Sequence, residues 1–132
     1  MAGLYLHIPF CQAICDYCNF TRGLLDEALK ASFVDALVAD IGRHAAAVRV
    51  DSIYLGGGTP SLLDGRQMAR ILAACRDAFD VAPDAEVTIE ANPESVSAGA
   101  AASYLQAGVN RVSLGVQSFR DEVLVRLGRL HT

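Results

Sequence analysis

Short apolar runs alternate with amphipathic stretches four times along the chain. The runs that predict β-strands are Leu4 to Ile8, Val50 to Leu55, Val87 to Ala91 and Val112 to Leu114. A stretch with helical character follows each of them. Repeated strand–helix units predict parallel strands joined by right-handed crossovers, in either an open doubly wound sheet or a (β/α) barrel. The pattern therefore predicts an α/β fold.

The longest predicted helix runs from Leu25 to about Ala47. Its apolar residues recur every four positions, which predicts a stripe that faces the core. The stripe consists of Leu25, Leu29, Phe33, Leu37 and Ile41. Charged side chains of this helix, Lys30 among them, are expected on the solvated side.

Three further helices have recognisable ends. They are predicted to cover residues 64–79, 97–107 and 121–127. Asp64 and Ser97 are candidate N-caps, because their side-chain oxygens can accept from the free N–H groups of a first helical turn. Gly108 is placed to end the third predicted helix in the left-handed conformation.

Three of the four cysteines lie within eight residues, directly after the first predicted strand. Cys11, Cys15 and Cys18 can bring their thiols onto one tight loop. Thiolates are soft ligands that select zinc, Cu(I) or iron–sulfur clusters. Structural zinc normally takes four protein ligands, so three thiolates with one metal position open fit a [4Fe–4S] cluster better. A zinc loop or three free thiols are the alternatives.

Two other stretches also lie at the C-terminal ends of strands, where parallel sheets bind their ligands. Gly56-Gly57-Gly58-Thr59 follows the second strand, where missing Cβ atoms let a ligand approach and let consecutive N–H groups turn inward. A simple tight turn is the alternative. Glu90 ends the third strand, and a carboxylate at that depth needs hydrogen bonds. A solvated strand end is the alternative for Glu90.

Composition limits the class of protein. The chain is 52% hydrophobic and 20% charged, as in ordinary globular proteins, and its net charge of −4 offers no basic face for nucleic acid. No apolar run approaches the roughly 20 residues of a transmembrane helix, and no signal peptide is visible. Four cysteines without an export signal favour metal or redox chemistry in a reducing compartment, so a cytoplasmic location is expected.

Taken together, these motifs resemble the radical S-adenosylmethionine (SAM) superfamily. The similarity is carried by Tyr5-Leu6-His7-Ile8-Pro9-Phe10 ahead of CxxxCxxC, the glycine run, Glu90-Ala91-Asn92-Pro93, and the segment 111–119. Within the superfamily the motifs are similar to the coproporphyrinogen III oxidase–like branch, which includes the HemW-type haem chaperones. The resemblance implies an incomplete (β/α)6 TIM-like barrel. Because four βα units cannot close a barrel, residues 1–132 are expected to be the N-terminal part of a longer radical SAM core domain.

The resemblance also implies cofactors and their ligands. Cys11, Cys15 and Cys18 would bind a [4Fe–4S] cluster whose fourth iron chelates SAM, and an electron donor would drive reductive SAM cleavage to a 5′-deoxyadenosyl radical. The implied SAM contacts are Tyr5, Tyr17, Gly56, Gly57, Gly58, Thr59, Glu90, Gln117 and Arg129. Arg129 would pair with the SAM carboxylate, which its guanidinium fork matches; a solvated helix arginine is the alternative. No catalytic acid–base pair is expected.

Two residues with ligand chemistry are not predicted as ligands. His7 lies on the first strand and is expected to be packed and hydrogen-bonded. Cys75 lies on the inward face of the second predicted helix, where a thiol behaves as a small hydrophobe.

The position of Phe20 distinguishes two functions within this branch. The oxidases resemble CxxxCx(F/Y)CxC, whereas this chain has Phe20 where their additional cysteine stands. Phe20 and the early Met1 favour a HemW-like haem chaperone. The alternative is an oxygen-independent coproporphyrinogen III oxidase, so the expected partner is haem or a porphyrinogen. A further alternative is a fragment that does not bind SAM productively.

Overall fold

The computed structural model describes residues 2–132 and contains six strands and four α-helices. The strands are β1 (Ala2–Ile8), β2 (Phe10–Cys11), β3 (Gly23–Leu24), β4 (Arg49–Gly57), β5 (Asp80–Ala91) and β6 (Arg111–Leu114). The helices are α1 (Glu27–Arg43), α2 (Gly65–Ala78), α3 (Ala98–Ala107) and α4 (Asp121–Arg126).

The main sheet has four strands in the order β1-β4-β5-β6, and every pair in it is parallel. A helix lies in the chain between each strand of this sheet and the next. This arrangement confirms the predicted α/β fold of βα units. It also brings the C-terminal ends of all four strands to one edge of the sheet.

The hydrophobic core lies between the sheet and its helices. Ile53, Leu55 and Ile89 contribute from the strands, and Met68 and Leu72 from α2; all five are almost fully buried. Helix α2 packs between α1 and α3. None of the helices described in residues 2–132 has both the length and the apolar character needed to span a membrane.

The helix ends follow the predicted capping chemistry. Asp64 accepts from the backbone of Gln67 at 2.7 Å, and the Gln67 side chain accepts from the backbone of Asp64 at 3.0 Å, forming a capping box. Ser97 accepts from Ala100 N at 3.1 Å. Gly108 ends α3 with a φ of 109°, in the left-handed region that glycine tolerates best.

The predicted apolar stripe of α1 is wrong at its N-terminal end. Leu29 is 59% exposed, whereas Lys30, which was expected in solvent, is only 5% exposed. An α-helix turns about 100° per residue, so a strict repeat of four drifts by about 40° at every step. Lys30 therefore faces inward, where its Nζ donates to Leu62 O at 2.9 Å and pairs with Glu27 at 2.9 Å.

Strand β5 begins seven residues earlier than the predicted Val87, at Asp80. The register with β4 shifts between two pairs, Val50 with Val81 and Ser52 with Glu86. The intervening stretch contains Pro83, which cannot donate to a ladder and so hides the early part of the strand from pattern reading.

Replacing buried and exposed leucines tests this assignment of the core. We expect Leu72→Ala to lower the free energy of unfolding by about 2–5 kcal/mol, because it leaves a cavity in the hydrophobic core. Leu29→Ala is the matched control and should change it by less than about 0.5 kcal/mol. Urea denaturation of both variants measures the difference. Equal losses would contradict the placement of α1.

Candidate functional site

A short parallel ladder closes the cysteine loop at its base. Strand β2 pairs with β3, and two backbone hydrogen bonds extend the contact: Gly23 N donates to Pro9 O at 2.7 Å and Leu25 N to Cys11 O at 2.9 Å. Residues 12–22 are therefore a loop with both ends fixed. The predicted end of β1 before Pro9 is confirmed.

The three clustered cysteines line one cavity of about 280 Å³. Cys11 is buried at the end of β2, and Cys15 and Cys18 are half-buried in the loop. A turn joins the last two, with Cys18 N donating to Cys15 O at 3.1 Å. Within residues 2–132, the cysteine, histidine and carboxylate side chains form no group of three or more arranged around a single metal ion.

Most of the predicted SAM contacts line the same cavity. They are Tyr17, Gly57, Gly58, Thr59, Glu90, Gln117 and Arg129. Tyr5 and Gly56 do not line it. The cavity thus joins side chains that lie up to 118 positions apart in the sequence, between Cys11 and Arg129.

The backbone of the glycine run is already hydrogen-bonded within the protein. Gly57 N donates to Glu90 Oε2 at 3.1 Å, Gly58 N to Ile8 O at 2.8 Å, and Thr59 N to Phe10 O at 2.7 Å. The expectation that these N–H groups turn toward a ligand is therefore wrong. They fasten the end of β4 to β1, to β2 and to the glutamate instead.

The glycines are required because neighbouring atoms occupy the space of a side chain. A Cβ on Gly57 would lie 2.6 Å from His7 Cε1, and one on Gly58 would lie 2.6 Å from Phe10 O. Gly57 also has a φ of 114°, in the left-handed region. Any larger residue at either position would push β4 away from the cysteine loop.

Glu90 is held by two donors rather than by open solvent. Tyr54 Oη donates to Oε1 at 2.7 Å, and Gly57 N donates to Oε2. The hydrogen bond to Glu90, together with burial and the negative charge, raises the pKa of Tyr54, so the phenol stays protonated as a donor. Sequence reasoning missed Tyr54, because the register that places it beside Glu90 is not visible in one strand.

Arg129 connects the cysteine loop to the ends of two strands. Its Nη2 donates to Asn92 Oδ1 at 2.7 Å and to Gly115 O at 2.8 Å. Its Nη1 donates to Cys15 Sγ and Tyr17 Oη, each at 3.5 Å. Arg129 is therefore not a solvated helix arginine.

Gln117 lies at the edge of the cavity in a strained conformation. Its φ of 62° is in the left-handed region, which costs a residue with a side chain about 1–3 kcal/mol. A Cβ on Gly115 would lie 3.2 Å from the Gln117 amide nitrogen. The absence of that Cβ lets the Gln117 side chain lie over the end of β6.

His7 links β1 to the far end of the cysteine loop. Its Nε2 donates to Thr21 O at 2.7 Å, since a carbonyl can only accept. Its Nδ1, 3.0 Å from Tyr5 Oη, accepts from that phenol when the ring is neutral. The expectation of a packed, hydrogen-bonded histidine is confirmed. Tyr5 thus supports the loop through His7.

Burial and the Thr59 side chain act in opposite directions on the Cys11 thiol. Burial is the larger effect and raises the pKa of the thiol overall, while the Thr59 side chain lowers it. Burial raises the pKa of Cys75 to about 11.

The cavity also contains residues that the motif analysis did not select as contacts. They are Ala13, Phe20, Arg22, Ala91, Asn92, Ser113 and Gly115. Asn92 could have been predicted from the sequence, since it follows Glu90 by two positions at the same strand end. Arg22 could not, because its position depends on the path of the loop back to β3.

Comparison with known proteins agrees with this arrangement. The family model of the Radical SAM superfamily matches residues 5–132. Heme chaperone HemW of Escherichia coli (strain K12) is 46% identical over 133 residues, which cover 98% of this chain and 35% of that protein. HemW of Mycobacterium tuberculosis (strain H37Rv) is 46% identical over 136 residues, with the same coverage.

A solved structure is similar over the same region. Coproporphyrinogen III oxidase (HemN) from Escherichia coli, described as a radical SAM enzyme, matches with a TM-score of 0.89 and 34% identity. The match covers 98% of this chain and 31% of that one. The chain spans about a third of the length of the curated relatives it matches.

Alkylation of the metal-free chain tests the placement of Cys15, Cys18 and Cys75. At pH 8, iodoacetamide should modify Cys15 and Cys18 at least about 100-fold faster than Cys75, which is buried and has a raised pKa. Peptide mass mapping over time measures the rates, and labelling in urea is the control in which all four react. Modification of folded Cys75 as fast as Cys15 would contradict this placement.

Proposed function

The chain belongs to the radical SAM superfamily, and we propose that Cys11, Cys15 and Cys18 hold a [4Fe–4S] cluster whose fourth iron binds SAM. The observation that carries this proposal is the shared cavity, in which three thiols face the glycine run, Glu90 and Arg129. Three thiolates leave one iron without a protein ligand. When bound, the cluster supplies the electron that cleaves SAM into methionine and a 5′-deoxyadenosyl radical.

Arg129 has a donor that suits the SAM carboxylate. Its Nε is buried and has no hydrogen-bond partner among residues 2–132, although the rest of the guanidinium is well bonded. A buried donor without an acceptor is unfavourable, and a ligand carboxylate removes that penalty.

Glu90 suits the ribose hydroxyls. Tyr54 and Gly57 each donate to one of its oxygens, and each oxygen keeps a further lone pair for a hydroxyl donor. These two bonds also fix the direction of the carboxylate before any ligand arrives.

The remaining proposed contacts divide by the chemistry they offer. The N–H groups of Gly57, Gly58 and Thr59 are committed within the protein. The SAM amino group is a donor, so we propose that this loop meets it with carbonyl oxygens, which accept. Tyr17 offers an aromatic face to the adenine, and Gln117 offers an amide at the cavity edge. We propose that Tyr5 and Gly56 act as supports, Tyr5 through His7 and Gly56 through the close packing at the end of β4.

We propose that the whole protein is a HemW-like haem chaperone that also carries out SAM chemistry. Phe20 in place of the oxidases' additional cysteine supports this choice, as do two HemW relatives at 46% identity. In this proposal residues 1–132 form the first four βα units of a radical SAM core, and the partners are SAM, haem and an electron donor. A cytoplasmic location remains a prediction from the cysteine usage.

Oxygen-independent coproporphyrinogen III oxidase is the second candidate, because the HemN structure matches with a TM-score of 0.89. In that case the substrate would be coproporphyrinogen III, whose propionates would be oxidatively decarboxylated. A fragment that does not bind SAM productively is the third.

Single cysteine replacements test the cluster assignment. After anaerobic reconstitution with iron and sulfide, Cys11→Ala, Cys15→Ala and Cys18→Ala should each abolish the visible absorbance of the [4Fe–4S] cluster, because each removes one of three ligands. Cys75→Ala is the matched control and should keep it. A full cluster spectrum in any of the first three variants would refute the ligand set.

Two assays on the reconstituted full-length protein separate the chaperone from the oxidase. We expect stoichiometric haem binding, measured by absorbance titration, and no decarboxylation of coproporphyrinogen III with SAM and a reductant, measured by chromatography of the products. Catalytic conversion to protoporphyrinogen IX would overturn the chaperone assignment while leaving the cluster assignment intact.

A further inference from the structure

Asn92 joins two donors of the cavity through one side-chain amide. Its Oδ1 accepts from Arg129 Nη2 at 2.7 Å, and its Nδ2 donates to Thr59 Oγ1 at 3.2 Å. This orientation of the amide is the only consistent one, because a guanidinium cannot accept a hydrogen bond. The backbone of Asn92 is fixed as well, since its N–H donates to Ser95 Oγ at 3.1 Å.

The hydrogen bond from the Asn92 amide determines which hydrogen bond the Thr59 hydroxyl can still make. Because Thr59 Oγ1 accepts from Asn92, its own hydrogen is free for another acceptor. The nearby acceptor is the sulfur of Cys11. Thr59 is 4% exposed and Cys11 is 7% exposed. A Cβ on Gly58, the residue before Thr59, would lie 3.0 Å from Cys11 Sγ. Thr59 is held at this wall of the cavity, because its N–H donates to Phe10 O, next to Cys11, at 2.7 Å.

The other arm of Asn92 leads to a second cysteine. Arg129, fixed by Asn92 Oδ1 and Gly115 O, directs Nη1 at Cys15 Sγ at 3.5 Å. One amide thus holds both a hydroxyl beside Cys11 and a guanidinium beside Cys15. Cys18 receives no donor from this network.

We propose that Asn92 is a positioning residue that directs the Thr59 hydroxyl to Cys11 Sγ and the Arg129 guanidinium to Cys15 Sγ, and so raises the reduction potential of the cluster. This inference rests on the proposed function, since it requires the cluster. Reduction adds one electron to the iron–sulfur unit and its thiolates. Donors to the sulfurs stabilise that added negative charge, so losing them lowers the potential.

The amide is chemically necessary in this arrangement. An aspartate at position 92 would still accept from Arg129, but it would offer Thr59 a second acceptor instead of a donor. The Thr59 hydroxyl would then turn to the carboxylate and leave Cys11 without its hydrogen bond.

The test is a redox titration of the reconstituted full-length protein without SAM, followed by electron paramagnetic resonance. Iron and sulfide content are measured first for every variant. Asn92→Leu and Thr59→Val have similar size to the native residues and cannot make these bonds. At a fixed potential, we expect the ratio of reduced to oxidised cluster to fall about three- to tenfold in each, since only part of a charged hydrogen bond differs between redox states. A tenfold change corresponds to about 59 mV for one electron.

Two controls separate positioning from general damage. Thr59→Ser keeps the hydroxyl, so its cluster should have the same reduction potential as that of the wild type. Gln106→Leu removes an exposed amide on α3, outside the cavity, and should also leave the potential unchanged. The double variant Asn92→Leu/Thr59→Val should shift the potential by less than the sum of the single shifts, because both remove the same donor to Cys11.

Each outcome supports or overturns a specific statement. Full cluster content with an unchanged potential in Asn92→Leu, or additive shifts in the double variant, would overturn the role of Asn92 and leave the proposed function standing. Absence of a cluster in the wild type would instead overturn the proposed function. If Asn92→Leu alone loses the cluster, Asn92→Asp is measured in its place. The change in reduction potential caused by Asn92→Asp should be smaller in the Thr59→Val background than in the wild-type background. An equally large change in both backgrounds would overturn the inference.

Discussion

The close approach of β4 to the cysteine loop is the constraint on which the site depends. Residues 56–58 lack Cβ atoms, and the space is taken by His7, Phe10 O and the ring edges of two tyrosines. Gly57, Gly58 and Thr59 use their N–H groups to bind Glu90, β1 and β2, respectively. Without this contact the thiols, the carboxylate and Arg129 could not face one cavity. The glycines therefore act first as packing elements, and the space left to a ligand is a consequence of that packing.

Much of the fold and part of the site follow from local patterns. The four strands of the main sheet, the caps Asp64 and Ser97 and the three clustered cysteines are predictable because each depends on a few neighbouring residues. The site features that sequence reasoning missed depend on strand register or on loop return, as Tyr54 beside Glu90 and Arg22 beside Cys11 show. The error in α1 has a different origin, since a repeat of four was read without the drift that 3.6 residues per turn imposes.

Positively and negatively charged side chains line the same cavity. Arg22 and Arg129 line it together with three thiols and Glu90, and the positive charge of Arg22 lowers the pKa of Cys11. Burial is the largest influence on the same thiol and raises its pKa. A buried negative group is stable only with positive partners, so the two arginines place positive charge beside the half-buried Glu90 carboxylate and the three cysteines.

The ladder between β2 and β3 determines which part of the cysteine loop is free to adapt. It fixes both ends of the loop by backbone pairing, above a hydrophobic core built from side chains of the sheet and its helices. In a zinc finger the metal supplies much of the folding free energy, so the metal-free chain is unfolded. Here the loop ends are ordered by the polypeptide itself. The freedom to adapt to a bound group therefore lies within residues 12–22, between the two paired ends.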